Sequence, residues 1–184
     1  LMFLQEANRA VQQELARFNR HLMLARKDAE REAHTDALTG LLNRRGLQAA
    51  MQNAFEPQHG TPGFALAHLD LDNFKQVNDR FGHDVGDACL QAMSGILRRH
   101  VRTTDLVARY GGEEFAAVVT GRSHEQAARG AEEIRRDCAA RTILDGVTQL
   151  PVTISIGFTV KEAGFDLGNL MRTADQALYA AKRH

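Results

Sequence analysis

The chain has 184 residues, 23 of them basic and 23 acidic, so its formal net charge is zero. This balance argues against the strongly basic surface with which nucleic-acid-binding proteins hold their ligand. No apolar run reaches the roughly 18 residues of a membrane-spanning helix, and the 8 histidines show no zinc-like spacing. No signal-peptide pattern occurs, and because Leu1 is not a natural start we expect an excised fragment.

Residues 1–33 show the heptad pattern of a coiled coil. The a and d positions, at alternating three- and four-residue steps, are Leu1, Leu4, Asn8, Val11, Leu15, Phe18, Leu22, Ala25 and Ala29. A single polar residue at an a position, here Asn8, can set register and oligomer state. We therefore predict an N-terminal helix that forms a parallel homodimer. The alternative is a lone amphipathic helix packed on its own domain.

After a linker at His34 and Thr35, residues 34–184 are enough for one domain with a sizeable core. Periodicity and turn residues predict these elements in chain order: a helix from Asn43 to Phe55, a loop through Pro57, Gly60 and Pro62, a strand from Phe64 to Leu71, helices over Asn73–Phe81 and Asp87–His100 about a turn at Gly82 and Gly86, strands over Leu106–Tyr110 and Phe115–Val119, a helix to about Ala140 opened by a capping box at Ser123–Gln126, a strand over Pro151–Val160, and a final helix over residues 167–181. Helices interleaved with strands and an antiparallel hairpin indicate an α+β domain.

The strand over residues 64–71 is mostly apolar, as a buried central strand is, yet it contains Asp70 and is followed by Asp72. Side-chain alternation puts these two carboxylates on the same face. A buried carboxylate is costly unless it is paired, hydrogen-bonded or metal-bound. We expect a divalent metal ion between Asp70 and the later acidic hairpin. The alternative for Asp72 is that it caps the next helix.

Three polar residues in the following helices are candidates for ligand contacts. Lys75 is either a solvated helix charge or a phosphate contact. Asn78 can both donate and accept, and Asp87 can accept from paired N–H groups such as guanine offers on its Watson–Crick edge. Each residue alone is better explained by a structural role than by a functional one, so the prediction depends on their joint order.

The segment over residues 109–115 reads Arg-Tyr-Gly-Gly-Glu-Glu-Phe and joins two predicted strands. Gly111 and Gly112 predict a tight hairpin and let a bulky ligand approach the backbone. Glu113 and Glu114 at the same bend suit a hard cation that itself carries phosphates. The alternative is a solvated hairpin tip with ordinary acidic turn residues.

Several motifs occur in an order and at spacings that resemble one known family. They are Asp36–Arg45, Asp70–Lys75 followed by Asn78 and Asp79, Gly82–Asp87, Gly111–Phe115, Val152–Gly157 and Ala174–Lys182. This set resembles the GGDEF domain, the catalytic module of diguanylate cyclases, from Asp36 to the C-terminus. Glu113 stands where the family name has Asp, which keeps the carboxylate. The resemblance implies a ferredoxin-like, palm-type sheet surrounded by helices.

The resemblance also implies a reaction, in which two GTP molecules are joined into cyclic di-GMP and two pyrophosphates are released. Asp70 and Glu113 would be the catalytic residues and, with the Leu71 carbonyl and Glu114, would hold two Mg²⁺ or Mn²⁺ ions. The residues that would contact the substrate are Asn73, Phe74, Lys75, Asn78, Asp87, Gly111, Gly112 and Lys182. Of these, Asn78 and Asp87 would read guanine, and the two lysines would contact the β- and γ-phosphates.

Since each domain of this family binds one GTP, two domains must face each other antiparallel, and the N-terminal helix would supply that homodimer. Arg102 and Asp105 match the inhibitory RxxD site of the family, where the product cyclic di-GMP binds. The chain ends soon after Lys182, so we expect that a late phosphate-binding arginine of the family is missing.

The resemblance places the protein in the bacterial cytoplasm, with an upstream sensor removed and a membrane-tethered parent left open. Three rival functions stay open at this point. One is a catalytically silent domain that acts as a GTP or cyclic di-GMP receptor. The second is a cyclase that also accepts adenine, and the third is a coiled-coil scaffold, which leaves the carboxylates unexplained.

Overall fold

The computed structural model describes residues 2–54, 63–140, 142–145, 148–161 and 167–182. The predicted loop through Pro57, Gly60 and Pro62, and the first heptad residue, Leu1, lie outside the described residues. The chain divides into two compact units, Leu1–His34 and Thr35–His184.

Helix α1 (Met2–His34) belongs to the first unit, and the predicted N-terminal helix is confirmed. Part of its predicted seam is open to solvent: Val11, Leu15, Phe18 and Leu22 keep 64%, 57%, 60% and 53% of their surface accessible. A row of large apolar side chains on one helix is stable in water when another surface covers it. No described helix is both long and apolar enough to cross a membrane.

The second unit is an α+β domain, as predicted. Its helices are α2 (Arg44–Ala54), α3 (Phe74–Phe81), α4 (His83–His100), α5 (His124–Ala140) and α6 (Leu167–Ala181). Its strands are β1 (Leu42–Asn43), β2 (Phe64–Leu71), β3 (Leu106–Arg109), β4 (Glu114–Thr120), β5 (Thr142–Asp145), β6 (Thr148–Pro151) and β7 (Ile154–Lys161).

Five of these strands form one mixed sheet in the order β1-β3-β4-β2-β7. Strand β1 runs parallel to β3, and every other neighbouring pair is antiparallel. Strands β5 and β6 form a separate hairpin. The long, apolar strand β2 therefore lies inside the sheet with a partner on each side, as its composition predicts.

Alternation along β2 separates two hydrophobic clusters. Leu69 and Leu71 pack on the face covered by α4 and α5. Leu66 packs on the opposite face, with Leu47 of α2 and Leu170 of α6. Because Leu66 and Asp70 are an even number of residues apart, Asp70 belongs to the α6 face.

Helix α4 begins at His83, four residues before the predicted start. Gly82, with φ 86°, ends α3, and α4 follows directly. The prediction of a turn at Gly86 was therefore wrong, because this residue lies in the first helical turn. A Cβ on Gly86 would overlap the side-chain Oδ1 of Asn78. A side chain at residue 86 would therefore displace the Asn78 amide from its position between α3 and α4.

The predicted strand over Pro151–Val160 is interrupted, and the β5–β6 hairpin before it was not predicted. Pro151 ends β6 and β7 begins at Ile154. Between them the Thr153 carbonyl accepts a hydrogen bond of 2.9 Å from the N–H of Asp72. That bond ties the turn after β2 to the start of β7.

The predicted capping box at the start of α5 is confirmed. The Ser123 N–H donates to Oε1 of Gln126 at 3.0 Å, and the Gln126 N–H donates to Oγ of Ser123 at 3.3 Å. This reciprocal pair satisfies backbone donors that the first helical turn leaves open.

We expect Gly157→Ala to destabilise the domain. Gly157 lies in β7 under α6, and a Cβ there would overlap the backbone N of Leu178 and the carbonyl oxygen of Ala174. Backbone atoms cannot rotate away, so the free energy of unfolding should fall by about 1–3 kcal/mol in a urea titration.

The matched control is Gly130→Ala in α5, where an added Cβ meets nothing within 4 Å. That change should raise the free energy of unfolding by up to about 1 kcal/mol, since alanine is the better helix former. An unchanged stability of Gly157→Ala would contradict the close approach of α6 to the sheet.

Candidate active site

The end of β2 meets the β3–β4 hairpin at one edge of the sheet. Antiparallel pairing places Asp70 directly opposite Glu114. The N–H of Leu71 donates to the carbonyl oxygen of Glu113 at 3.3 Å. The two predicted acidic segments are therefore neighbours, although more than 40 residues separate them along the chain.

The hairpin predicted from the paired glycines is confirmed. The N–H groups of Tyr110 and Gly111 donate to the Glu114 carbonyl at 2.7 and 3.2 Å. A Cβ on Gly111 would overlap the side-chain Oε2 of Glu114, whereas one on Gly112 would meet nothing within 4 Å. The first glycine gives the glutamate side chain its space, and the second leaves the tip open.

Lys182, which follows α6, brings positive charge to this edge. Its Nζ lies 2.7 Å from Oδ1 of Asp70, whose residue is only 7% exposed. The same oxygen is buried without a hydrogen bond among the described residues, so this contact is an ion pair outside hydrogen-bond geometry. A buried carboxylate needs such a countercharge.

The pKa of Glu113 depends on the charged groups that lie close to it. Burial raises the pKa of its carboxyl above 4.5, and the negative charge of Asp70 raises this pKa further. The Lys182 ammonium lowers the pKa, and Glu114 again raises it. Asp70, Glu113 and Glu114 therefore form one acidic cluster with one lysine beside it.

The turn after β2 leads into α3 through a left-handed residue. Asn73 has φ 56°, a conformation that asparagine tolerates better than most side chains. No side chain caps α3, so its first turn keeps N–H groups available to an anion. Phe74 is buried at the start of α3, while Lys75 is exposed.

Asp72 does not cap α3. Its Oδ1 accepts a hydrogen bond of 2.7 Å from Oγ of Ser155 on β7. The predicted capping alternative was therefore wrong, because the neighbouring strand supplies a hydroxyl donor to this carboxylate.

Asn78 and Asp87 come from the packed pair α3 and α4. Asn78 is half-buried, with its side-chain oxygen directly over Gly86. Asp87, the fifth residue of α4, is exposed. Because Gly86 has no side chain, the Asn78 amide can lie against the backbone of α4 at this position.

Arg109 links the hairpin to the segment that follows α1, a role that sequence reasoning missed. Its Nε and Nη2 donate to the Gly112 carbonyl at 3.1 and 2.7 Å, and Nη1 lies 3.3 and 3.2 Å from the two carboxylate oxygens of Asp36. Burial disfavours ionisation of Asp36, but hydrogen bonds from Thr39 and the Arg109 charge outweigh it and lower its pKa. Arg109 thus restrains the hairpin tip.

His68 was also missed, although a polar residue in an apolar strand was a readable signal. It is 4% exposed and lies two residues before Asp70 on the same face of β2. Its Nδ1 lies 3.4 Å from Oδ1 of Asp175 and its Nε2 lies 3.9 Å from Oε1 of Glu114. Its ring packs edge-on against Tyr110. The imidazole therefore forms part of the floor behind the acidic cluster.

Arg102 and Asp105 lie in the turn between α4 and β3. Asp105 is 8% exposed, and its two carboxylate oxygens accept the backbone N–H groups of Arg102, at 2.9 Å, and Thr120, at 3.2 Å. Arg102 itself is exposed. The aspartate therefore shapes the turn, while the arginine side chain is accessible to a ligand.

The acidic cluster fits a hard divalent cation that arrives with its substrate. Its carboxylate donors suit Mg²⁺, which is usually bound by one or two carboxylates together with substrate phosphates. Oδ1 of Asp70 accepts no hydrogen bond among the described residues, and Glu113 is repelled by neighbouring carboxylates. A bound cation would relieve both. Among the described residues, no group of three His, Cys, Asp or Glu side chains forms a ready cage, so phosphate oxygens would complete the ligand set.

The repulsion within the acidic cluster predicts the direction of two pKa changes at Glu113. Asp70→Asn removes a negative charge and should lower its pKa toward 4.5, whereas Lys182→Met should raise it further. Carboxyl ¹³C NMR over a pH titration measures both. Because the pKa is raised in the folded state, ionisation of Glu113 reduces stability as pH rises above 4.5, and Asp70→Asn should weaken that dependence.

Glu132 is the internal reference for this titration. Hydrogen bonds and charge from Arg135 and Arg136 lower its pKa to about 2. That value should be the same in both variants. A Glu113 pKa that does not respond to either change would contradict the clustering of the three carboxylates.

Comparison with known proteins agrees with this site. A family model described as "Diguanylate cyclase, GGDEF domain" matches residues 33–184. The diguanylate cyclase DgcP of Pseudomonas aeruginosa is 37% identical over 184 residues, which are 100% of this chain and 27% of DgcP. The response regulator PleD of Caulobacter vibrioides is 39% identical over 155 residues, which are 82% of this chain and 34% of PleD. The chain thus spans about a third or less of the length of these two relatives.

Solved structures show the same fold. The coiled coil and GGDEF domain of DgcB from Caulobacter crescentus, in complex with c-di-GMP, has a TM-score of 0.82 at 32% identity, over 98% of this chain and 94% of that one. The diguanylate cyclase SiaD from Pseudomonas aeruginosa, in complex with its activator SiaC, has a TM-score of 0.78 at 33% identity, over 94% and 67%. The palm-type fold predicted from the sequence is confirmed, and the chain belongs to the GGDEF family of diguanylate cyclase domains.

Proposed function

We propose that this chain is an active diguanylate cyclase, which condenses two GTP molecules into cyclic di-GMP. The 3′-oxygen of one GTP forms a bond to the α-phosphorus of the other, and the bond from that phosphorus to pyrophosphate breaks. Two such steps close the ring and release two pyrophosphates. The observation that carries this proposal is the convergence of Asp70, Glu113 and Glu114 with Lys182 at one edge of the sheet.

The acidic cluster and the Leu71 carbonyl would hold two Mg²⁺ or Mn²⁺ ions. Bound there, such ions stabilise the attacking and leaving oxygens of an in-line displacement. Phosphoryl transfer requires mainly positioning and charge stabilisation, which the carboxylates and Lys182 provide without a covalent intermediate.

The triphosphate would lie against the start of α3 and the hairpin. The uncapped first turn, with backbone N–H groups of Asn73 and Phe74, attracts anions through its dipole and its free donors. Lys75 and Lys182 contact the β- and γ-phosphates. Gly111 and Gly112 have no side chains, so the triphosphate can approach the backbone of the hairpin closely.

The guanine base would bind between α3 and α4. Asn78 and Asp87 pair with its Watson–Crick edge, where guanine presents two N–H donors to one carboxylate. Adenine lacks that donor pair, so Asp87 favours guanine. The close contact of Gly86 with the Asn78 amide supports this assignment, because it leaves the amide a single packed position.

Catalysis would need two copies of the domain, since each binds one GTP. The exposed seam on α1, from Val11 to Leu22, supports a homodimer through a parallel coiled coil. In that dimer the two nucleotides face each other antiparallel. We place this chemistry in the cytoplasm, where GTP is available.

The protein incubated with GTP and Mg²⁺ should form cyclic di-GMP, detected by chromatography, and Glu113→Gln should reduce the rate at least about a hundredfold. Glutamine keeps the shape of glutamate but loses the charge that holds the cation. The matched control is Glu125→Gln on α5, an exposed glutamate in a surface ion pair, which should keep the full rate.

Each rival function has its own outcome when ATP is added to this experiment, and a protein that neither binds GTP nor forms product would support the coiled-coil scaffold. GTP binding without any product would support the silent receptor, and a mixed dinucleotide from GTP with ATP would support relaxed base selection. Full turnover by Glu113→Gln would contradict the role of the acidic cluster.

Product inhibition would act at Arg102. An exposed guanidinium can stack on a guanine face and pair with phosphate. Asp105 already accepts two backbone N–H groups, so it fixes the turn that presents Arg102. Replacing Asp105 would therefore disturb the fold, and Arg102 is the cleaner position to change.

Arg102→Ala should shift the inhibition curve of cyclic di-GMP at least about tenfold, the loss expected for a charge-assisted contact, while the initial rate without product stays at the wild-type value. Arg136→Ala, which removes an exposed arginine paired with Glu132 on α5, is the control and should leave inhibition unchanged. Equal inhibition of Arg102→Ala and wild type would reject the site.

A further inference from the structure

A cavity of about 70 Å³ lies on the face of the sheet opposite the acidic cluster. It lies between α5 and the strands β2, β4 and β7. The central residues of its sheet wall are Ala67, Ala117 and Phe158, and its helix wall includes Gly130 and Ala131.

Small side chains on both walls produce this space. Ala67 of β2 has Ala117 of β4 on one side and Phe158 of β7 on the other in the sheet register. Neighbours across antiparallel strands point to the same face. Opposite them, a Cβ on Gly130 would meet nothing within 4 Å. Where alanine of the sheet faces glycine of the helix, the side chains are too small to fill the distance between the two elements.

The cavity opens to solvent. Ala67 is partly exposed, although every other residue of β2 is buried and strands lie on both sides of it. A position at the middle of a covered sheet reaches water only through a gap beneath the covering helix. Small molecules can therefore enter without unfolding of the domain.

Arg122 also lines the cavity, and one of its side-chain donors is unsatisfied. It lies in the connection between β4 and α5, and its Nε is buried without a hydrogen-bond partner among the described residues. The guanidinium cannot lose its charge, and a buried donor left unpaired is costly. Glu133 and His100 also line the cavity, but the described residues show no ion pair from Glu133 to Arg122, and His100 contacts Asp137 instead.

We propose that this cavity is a binding site for short-chain aliphatic monocarboxylates. The carboxylate would accept hydrogen bonds from the Arg122 guanidinium, a pair with matched planar geometry. The alkyl chain would lie on Ala67 and Phe158. The volume suits a chain of a few carbons, because it is about half of the ~150 Å³ of an engineered apolar cavity that binds benzene. This site is separate from the proposed cyclase reaction, because it lies behind the sheet.

Titration of the protein with sodium butyrate, followed by ¹H–¹⁵N NMR, tests the proposal. Saturable shifts are expected at the backbone amides of Ala67, Ala117 and Ala131. Butan-1-ol, which has the same chain without the charge, should bind at least about tenfold more weakly. Arg122→Gln should weaken butyrate binding by a similar factor, leave butan-1-ol binding unchanged, and keep wild-type GTP turnover.

Ala131→Leu fills the cavity from the helix side and should abolish the shifts for both probes. If this variant does not fold, the comparison of wild type with Arg122→Gln decides alone, since it changes no apolar packing. An absence of saturable shifts in the wild type, or equal butyrate affinity in Arg122→Gln, would overturn the proposal and leave the cavity as a packing gap. Either result is independent of whether the protein makes cyclic di-GMP.

Discussion

The repulsion among Asp70, Glu113 and Glu114 is the constraint on which the rest of the site depends. Three carboxylates at one edge of a sheet are unfavourable unless positive charge is brought to them. Within the described residues that charge comes from Lys182, which the end of α6 delivers to Asp70. Helix α6 can pack closely on β7 because Gly157 has no side chain. A packing detail of the core thus sets the electrostatics of the site.

The two faces of the sheet have different roles. The face toward α6 carries Asp70 and His68, two polar residues that a purely structural strand would not bury. The face toward α5 is apolar but incompletely filled, and it presents Arg122 to an open cavity. Because both faces share the strand β2, a ligand in the cavity would lie across the sheet from the acidic cluster, with Ala67 three residues from Asp70 along this strand.

Local signals predicted much of the fold. The capping box at Ser123 and Gln126 and the strand over Phe64–Leu71 were readable because the interactions that form them involve near neighbours or a continuous apolar run. The early start of α4 could not be predicted in this way. Glycine by its own preference indicates a turn, and the contact of Gly86 with Asn78 is visible only in the folded structure. The β5–β6 hairpin carries no apolar alternation strong enough to be recognised.

For the site, the sequence alone determined which residues are candidates for the chemistry, since the order of acids, glycines and amides is a property of the chain. Only the tertiary structure decided which of these candidates lie close together. The ion pair of Lys182 with Asp70, the contact of Arg109 with Asp36 and the hydrogen bond from the Thr120 N–H to Asp105 all join residues from different parts of the sequence. The physical reason is that charge interaction and hydrogen bonding depend on distance in space, which is set by how the helices pack on the sheet.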